Sequence, residues 1–266
     1  MVAAVLTLLW RDDPLNPLDC KEIKEMLTAE QKQAYVNDGY FTLEETVPKA
    51  LVEEIRHEVE LITEQKRGGV LPGDYEWWSD YTIPDPIKYQ KIIQRLLELP
   101  TVMESVQALI GSDIFLLISD LAIIRAGTGY IAWHQDHGYV VEVLNALASK
   151  STKELNDDDL RLLVPVANQA TVFITIYLQN TDNAMGALRV IPSSHRWEHS
   201  LDPSSANSLD REICLPLPGG AAMFYTPTIW HTAAANTSTT NYWTLTLIFT
   251  KNNIEPLLVD ALKGRI

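Results

Sequence analysis

Basic residues are scarce in this chain: 21 Lys and Arg stand against 35 Asp and Glu among 266 residues, a formal net charge of −14. A field of that sign repels a phosphate backbone, so no nucleic-acid partner is expected, although one local pocket can still take a small anion. Cysteine is equally sparse. Cys20 and Cys214 form no Cys-x-x-Cys pair and are too few for a disulfide framework, so a reduced, cytoplasmic setting is the default. The apolar segment from Met1 to Trp10 is short and has no basic stretch before it, so neither a signal peptide nor a membrane span is expected. Gly264-Arg265-Ile266 is not the Ser-Lys-Leu peroxisomal address. A Gly-x-Ser-x-Gly elbow, a phosphate-binding glycine loop and a zinc Cys/His spacing are also missing, which removes serine hydrolases, kinases and zinc fingers. What remains is an ordinary globular composition, 46% hydrophobic and 21% charged, without linker, repeat or low-complexity stretch. One domain over residues 1–266 is the simplest expectation.

The two halves of the chain differ in period. Residues 1–112 read as a mainly helical layer. Thr28 with Gln31 three residues on forms a capping box, and that helix runs toward Asp38-Gly39. A second helix spans Pro48 to Lys66, with Leu51, Ile55, Val59 and Ile62 at helical spacing. The Pro-, Gly- and aromatic-rich stretch Leu71 to Pro86 reads as a loop, and Ile87–Leu97 and Val102–Ile110 as short helices. From residue 113 to 251 the pattern turns strand-like: Ile114–Arg125, Ala170–Gln179, Ala187–Ile191, Glu212–Leu217, Ala221–Tyr225 and Trp243–Thr250. A helical insertion at about Val140–Leu163 interrupts it. Short strands without alternating helices predict an antiparallel sandwich or barrel, making the chain mainly β with flanking α.

Trp133-His134-Gln135-Asp136-His137 carries the chemistry. In an extended segment residues i and i+2 share a side, so His134 and Asp136 face one ion together while His137 points elsewhere, to a structural or substrate-side role. Two histidines and one carboxylate on one face of a divalent ion leave the opposite positions open, the site type of non-haem Fe(II) oxygenases. His231, after the apolar run Ala221–Tyr225, qualifies as the distant ligand.

Several segments in this order carry a resemblance. They are Leu27-Thr28-Ala29-Glu30-Gln31, Asp38-Gly39-Tyr40, Trp133-His134-Gln135-Asp136, Gly186-Ala187-Leu188-Arg189 through Ser193-Ser194-His195, Gly219-Gly220-Ala221-Ala222-Met223-Phe224, and Trp230-His231 with Asn236-Thr237-Ser238. From about residue 27 to 250 the chain resembles the phytanoyl-CoA dioxygenase family of Fe(II)- and 2-oxoglutarate-dependent oxygenases. The resemblance implies a double-stranded β-helix (jelly-roll, cupin-like) core with N-terminal helices. It also implies His134, Asp136 and His231 as iron ligands, and oxidation of a small organic substrate by O₂ coupled to decarboxylation of 2-oxoglutarate, with ascorbate as accessory reductant.

One family feature is absent. The arginine that meets the far carboxylate of 2-oxoglutarate stands eleven residues after the distal histidine, where this chain has Tyr242, and Ala233 replaces a common serine. The expected cation is then Arg125 or Arg189, with Tyr242 donating a hydroxyl and Gln135 and Thr175 completing the cosubstrate contacts. Two further readings stay open: an iron oxygenase that does not use 2-oxoglutarate, and a non-catalytic partner subunit of a homologous dioxygenase. Trp78, Tyr81, His137 and Trp243 are the expected substrate-side residues; the aromatics of Tyr75–Tyr81 and the insertion are candidates for a lid. The expected partners are a small molecule, such as a secondary-metabolite intermediate, and O₂, with homo- or heterodimerisation left open.

Overall fold

The structure, a computed structural model, describes residues 26–67, 82–84, 91–127, 132–136, 157–196, 210–254 and 256–257. The N-terminal helix forms where its signals lie. Thr28 caps α1 (Ala29–Asp38) reciprocally: its hydroxyl accepts from Gln31 N at 3.2 Å, and Gln31 Oε1 accepts from Thr28 N at 2.8 Å. Gly39 ends α1 in the left-handed region at φ +85° and hands the chain to β1 (Tyr40–Leu43). The amphipathic α2 (Lys49–Arg67) buries Leu51, Ile55 and Val59. A short α3 (Lys91–Gln94), a 3-10 turn at Arg95–Glu98 and α4 (Pro100–Ile110) follow. The expected helix Ile87–Leu97 is thus α3 plus the tighter turn, with residues 87–90 outside the described set.

The remaining elements are β2 (Thr82–Pro84), β3 (Ile114–Ile124), α5 (Asp157–Ala170), β4 (Thr171–Tyr177), β5 (Leu188–Val190), β6 (Ile213–Cys214), β7 (Ala222–Tyr225), β8 (His231–Ala233) and β9 (Tyr242–Lys251). They build a six-stranded antiparallel sheet of order β1-β7-β4-β9-β3-β2 and a three-stranded one of order β6-β5-β8. This is the jelly-roll arrangement expected from the strand pattern, with three corrections. Tyr40–Leu43, expected within the helical layer, pairs with β7, and Thr82–Pro84, expected as loop, pairs with β3. The helix of the insertion begins at Asp157 and runs past Leu163, through Pro165, to Ala170; residues 140–156 lie outside the described set.

Period-two alternation sorts the larger sheet into two faces. Val172, Ile174 and Ile176 of β4, Ala222 and Phe224 of β7, and Leu245, Leu247 and Phe249 of β9 pack with Leu51, Ile55, Val102 and Val106 of the helices. The alternate residues Phe173, Tyr177, Met223, Tyr225 and Ile248 pack with Val190 of β5 and with Leu215, Ala221 and Ile229. Every residue of β4 is buried, so a one-residue slip would exchange its two apolar sets, and burial on both sides holds its register.

The helical layer also fixes the loop that carries the distant histidine. Gly39 O accepts from Thr226 N at 2.9 Å, Ser193 N donates to Asp38 O at 2.8 Å, and His195 Nε2 donates to Val36 O at 3.1 Å. A Cβ at Gly39 would come within 2.5 Å of the His195 ring, so only glycine lets these segments meet.

Candidate metal centre

His134 and His231 face each other as a narrow antiparallel bridge: His134 N donates to His231 O at 3.0 Å and His231 N to His134 O at 3.1 Å. Asp136 N donates to Pro227 O at 2.8 Å, which holds the His-x-Asp segment alongside β8. The side chains of His134, Asp136 and His231 thereby offer three ligand atoms within 4.8 Å of one another. His134 Nε2 lies 3.7 Å from Asp136 Oδ1, and His231 Nε2 lies 3.4 Å from Asp136 Oδ2.

The tautomers follow from the backbone. Nδ1 of His134 meets Ala132 O at 2.8 Å, and Nδ1 of His231 meets Ile229 O at 3.1 Å. A carbonyl only accepts, so each Nδ1 carries a proton and each ring turns its Nε2 toward the carboxylate. Two ring nitrogens and a carboxylate oxygen converging in this way are a donor set that would hold a divalent cation. Imidazole nitrogen and carboxylate oxygen suit Fe(II), and the set leaves one hemisphere for further ligands. His231 is buried, whereas the side chains of His134 and Asp136 are 24% and 12% exposed, so the centre opens on the His134 side.

Burial, reinforced by neighbouring His134 and opposed by Asp136, pushes the His231 imidazole down to about 4, which keeps it a neutral ligand at physiological pH. In the unfolded chain the same group titrates near ~6.5. Between those values the unfolded state binds the proton and the fold does not. Stability of the metal-free protein therefore falls as pH drops from ~6.5 toward 4, by on the order of 3 kcal/mol from this group alone. Urea midpoints at pH 7, 5.5 and 4.5 for wild type and His231→Gln check it. The acid-side loss should be smaller in the variant, and equal losses would refute the assignment.

The remaining expected contacts divide. Thr175 lies on the inner face of β4, buried, its hydroxyl 2.9 Å from Thr246 Oγ1 and donating to the Tyr225 hydroxyl at 3.3 Å. Tyr225 in turn donates to Asp136 Oδ2 at 3.5 Å and sets its ring 5.2 Å from that of His231. Its phenol is held well above its ordinary value by burial and then by the charge of Asp136, so it stays a donor. Sequence reasoning placed Tyr225 only at the end of a strand. Arg125 is half-buried directly after β3, whose last residue Ile124 stands in register opposite Tyr242.

Four of the expected residues have their side chains committed elsewhere in the fold. Arg189 pairs its guanidinium with Glu212 and alternates with Val190, whose register partner is His231, so it stands on the face of β5 away from the triad. Tyr242 is buried and its hydroxyl donates to Gly186 O at 2.9 Å, so the proton expected for a carboxylate is already committed. Gln135 ties its amide nitrogen to Thr228 O and serves as a strut under the His231 loop. Trp243, on the opposite face of β9 from Tyr242, packs against the helical-layer core and not on the substrate side. Trp78, Tyr81 and His137 lie outside the described residues. Asn236 is buried, with its amide nitrogen on Ile124 O and Thr240 O, which excludes it as a glycosylation acceptor in the folded chain.

A jelly roll holding two histidines and one carboxylate on a single face defines the non-haem iron oxygenase class. Residues 35–241 match the family model of phytanoyl-CoA dioxygenase, and the chain belongs to that family of Fe(II)- and 2-oxoglutarate-dependent oxygenases. No curated protein matches it significantly. Solved structures share the fold at low identity. EvdMO1 aligns with TM-score 0.66 and 17% identity over 86% of this chain and 50% of its own, so the chain spans half the length of that protein. The non-haem α-ketoglutarate-dependent carbocyclase SnoK of nogalamycin biosynthesis aligns with TM-score 0.62 and 16% identity, over 85% of this chain and 84% of its own. EctD from S. alaskensis, solved with bound Fe, gives TM-score 0.66 and 17% identity over 91% and 82%. Among the described residues no helix is long and apolar enough to cross a membrane.

Proposed function

We propose that this protein is an Fe(II)- and 2-oxoglutarate-dependent oxygenase that oxidises a small organic molecule of secondary metabolism. The observation that carries the reading is the convergence of His134, Asp136 and His231, with both Nε2 atoms directed at the carboxylate. When bound, iron supplies the oxygen-activating chemistry; this chain holds it, orients what binds beside it, and limits water on the buried His231 side. SnoK, a carbocyclase, supports a product outcome that need not be simple hydroxylation. Arg125, half-buried directly after the end of β3 that stands opposite Tyr242, is the proposed partner of the cosubstrate's far carboxylate, with Thr175 lining its place.

Purified protein given Fe(II), ascorbate, O₂ and 2-oxoglutarate should release succinate with a member of a panel of small secondary-metabolite intermediates, and Asp136→Ala should release none. Arg125→Gln should raise the KM for 2-oxoglutarate roughly 10- to 100-fold while leaving iron affinity in place, since a charge-assisted bond contributes about 1.5–3 kcal/mol. An unchanged KM would remove Arg125 from the site. A second reading has its own observation: Tyr242 replaces a guanidinium and spends its proton on Gly186 O, which favours an iron oxygenase that needs no 2-oxoglutarate. It predicts O₂ uptake with substrate alone and no succinate.

A further inference from the structure

We propose that Tyr225 is a positioning residue for Asp136, the last member of a hydroxyl relay that starts at Thr246 and passes through Thr175. The proposal rests on the metal reading above. Thr246 and Thr175 are register partners on β9 and β4, and Tyr225 sits on the neighbouring β7, so the three side chains stand side by side on the inner face of the larger sheet. The polarity of the chain is set at one end. A carboxylate only accepts, so the phenol donates to Asp136 Oδ2 at 3.5 Å and its oxygen is free to accept. Thr175 fills that role at 3.3 Å and has then spent its single proton, which leaves Thr246 to donate to Thr175 at 2.9 Å.

Each donor in such a chain polarises the next, and the buried hydroxyls of Thr175 and Tyr225 would be costly without partners, with the partly buried Thr246 supplying the first donor. Its consequence falls on the ligand carboxylate. The phenol meets Oδ2, the oxygen 3.4 Å from His231 Nε2, while Oδ1 lies 3.7 Å from His134 Nε2, so the hydroxyl fixes the rotation of the carboxylate between the two imidazoles. The ring of Tyr225 packs 5.3 Å from Phe173 and 5.2 Å from His231, which phenylalanine preserves, so the hydroxyl can be removed without the ring.

Co(II) serves as the probe, with affinity and ligand-field absorption read on the full chain. Tyr225→Phe should keep the metal-free melting temperature within a few degrees. It should weaken Co(II) binding about 10- to 100-fold, the usual range for a partner of a metal ligand, and change the absorption envelope as the carboxylate rotates. Thr175→Val should move both readouts the same way by less, and Thr175→Ser should restore them. Co(II) affinity within about threefold of wild type together with an unaltered spectrum in Tyr225→Phe would overturn the proposal. If that variant does not fold, Thr175→Val decides by the same two readouts. Failure of the wild type to bind Co(II) at all would instead overturn the metal reading and this proposal with it.

Discussion

Asp136→Ala is expected to lower turnover at least about a thousandfold, more than about 4 kcal/mol of barrier at 1.36 kcal/mol per decade. The size follows from the geometry. Asp136 is the only anion of the described triad, within 3.4 and 3.7 Å of the two imidazole nitrogens. Removing it leaves two neutral nitrogens to hold a dication, and a site that must stay half open cannot replace the lost charge from the protein. A second measurement needs no substrate. A metal that binds only the folded chain stabilises it by about 2.7 kcal/mol at a hundred times its dissociation constant, or roughly 5–10 °C in melting temperature for a protein of this size. Wild type should show that shift with Fe(II) under anaerobic conditions or with Co(II), and Asp136→Ala should show none. A variant that keeps both the shift and the turnover would leave the triad a structural cluster.

The ligands are legible in the sequence because the chemistry demands residue types at short spacing: His134 and Asp136 share a side whenever the segment is extended. The distant partner stands out as a histidine at the end of an apolar run, and the bridge between His134 and His231 explains why that position works. The apolar runs of β3, β4 and β9 announce themselves, as do the shorter β5 and β7 inside apolar runs, whereas β1 and β2, of four and three residues, sit among polar and turn residues and are not set off. Their existence is decided by what they pair with. The same limit hides Tyr225: nothing in Ala222–Tyr225 distinguishes a packing tyrosine from one aimed at a carboxylate until β7 is laid beside β4. Arg189 shows the converse. Its sequence context fits a cosubstrate cation, but one step along β5 separates the face that carries Val190 from the face that meets Glu212. Parity within a three-residue strand, invisible without its partners, decides between the two roles.

Gly186→Ala should destabilise the protein by on the order of 4 kcal/mol, far more than the substitution costs at an ordinary glycine. Gly186 has φ +79°, and a Cβ there would lie 2.2 Å from Ala234 O and 3.0 Å from the next carbonyl carbon, all of it backbone. No rotamer change relieves such an overlap; the turn from Asp182 to Ala187 or the strand end at Ala233 must move. Both are tied to the metal centre. Gly186 O takes the buried Tyr242 hydroxyl, and two residues on, β5 begins the register that sets Val190 opposite His231. A displaced turn therefore leaves the buried phenol without its acceptor and tilts the strand that pairs with the ligand's own. Gly127 supplies the control, with φ +74° and nothing within 4 Å of an added Cβ, so Gly127→Ala should cost only the left-handed backbone term, about 1 kcal/mol. Urea unfolding of the two variants compares them directly. Equal losses would mean that the backbone at Ala234 yields freely, and with it the claim that the Gly186 turn holds the His231 strand in place would fall.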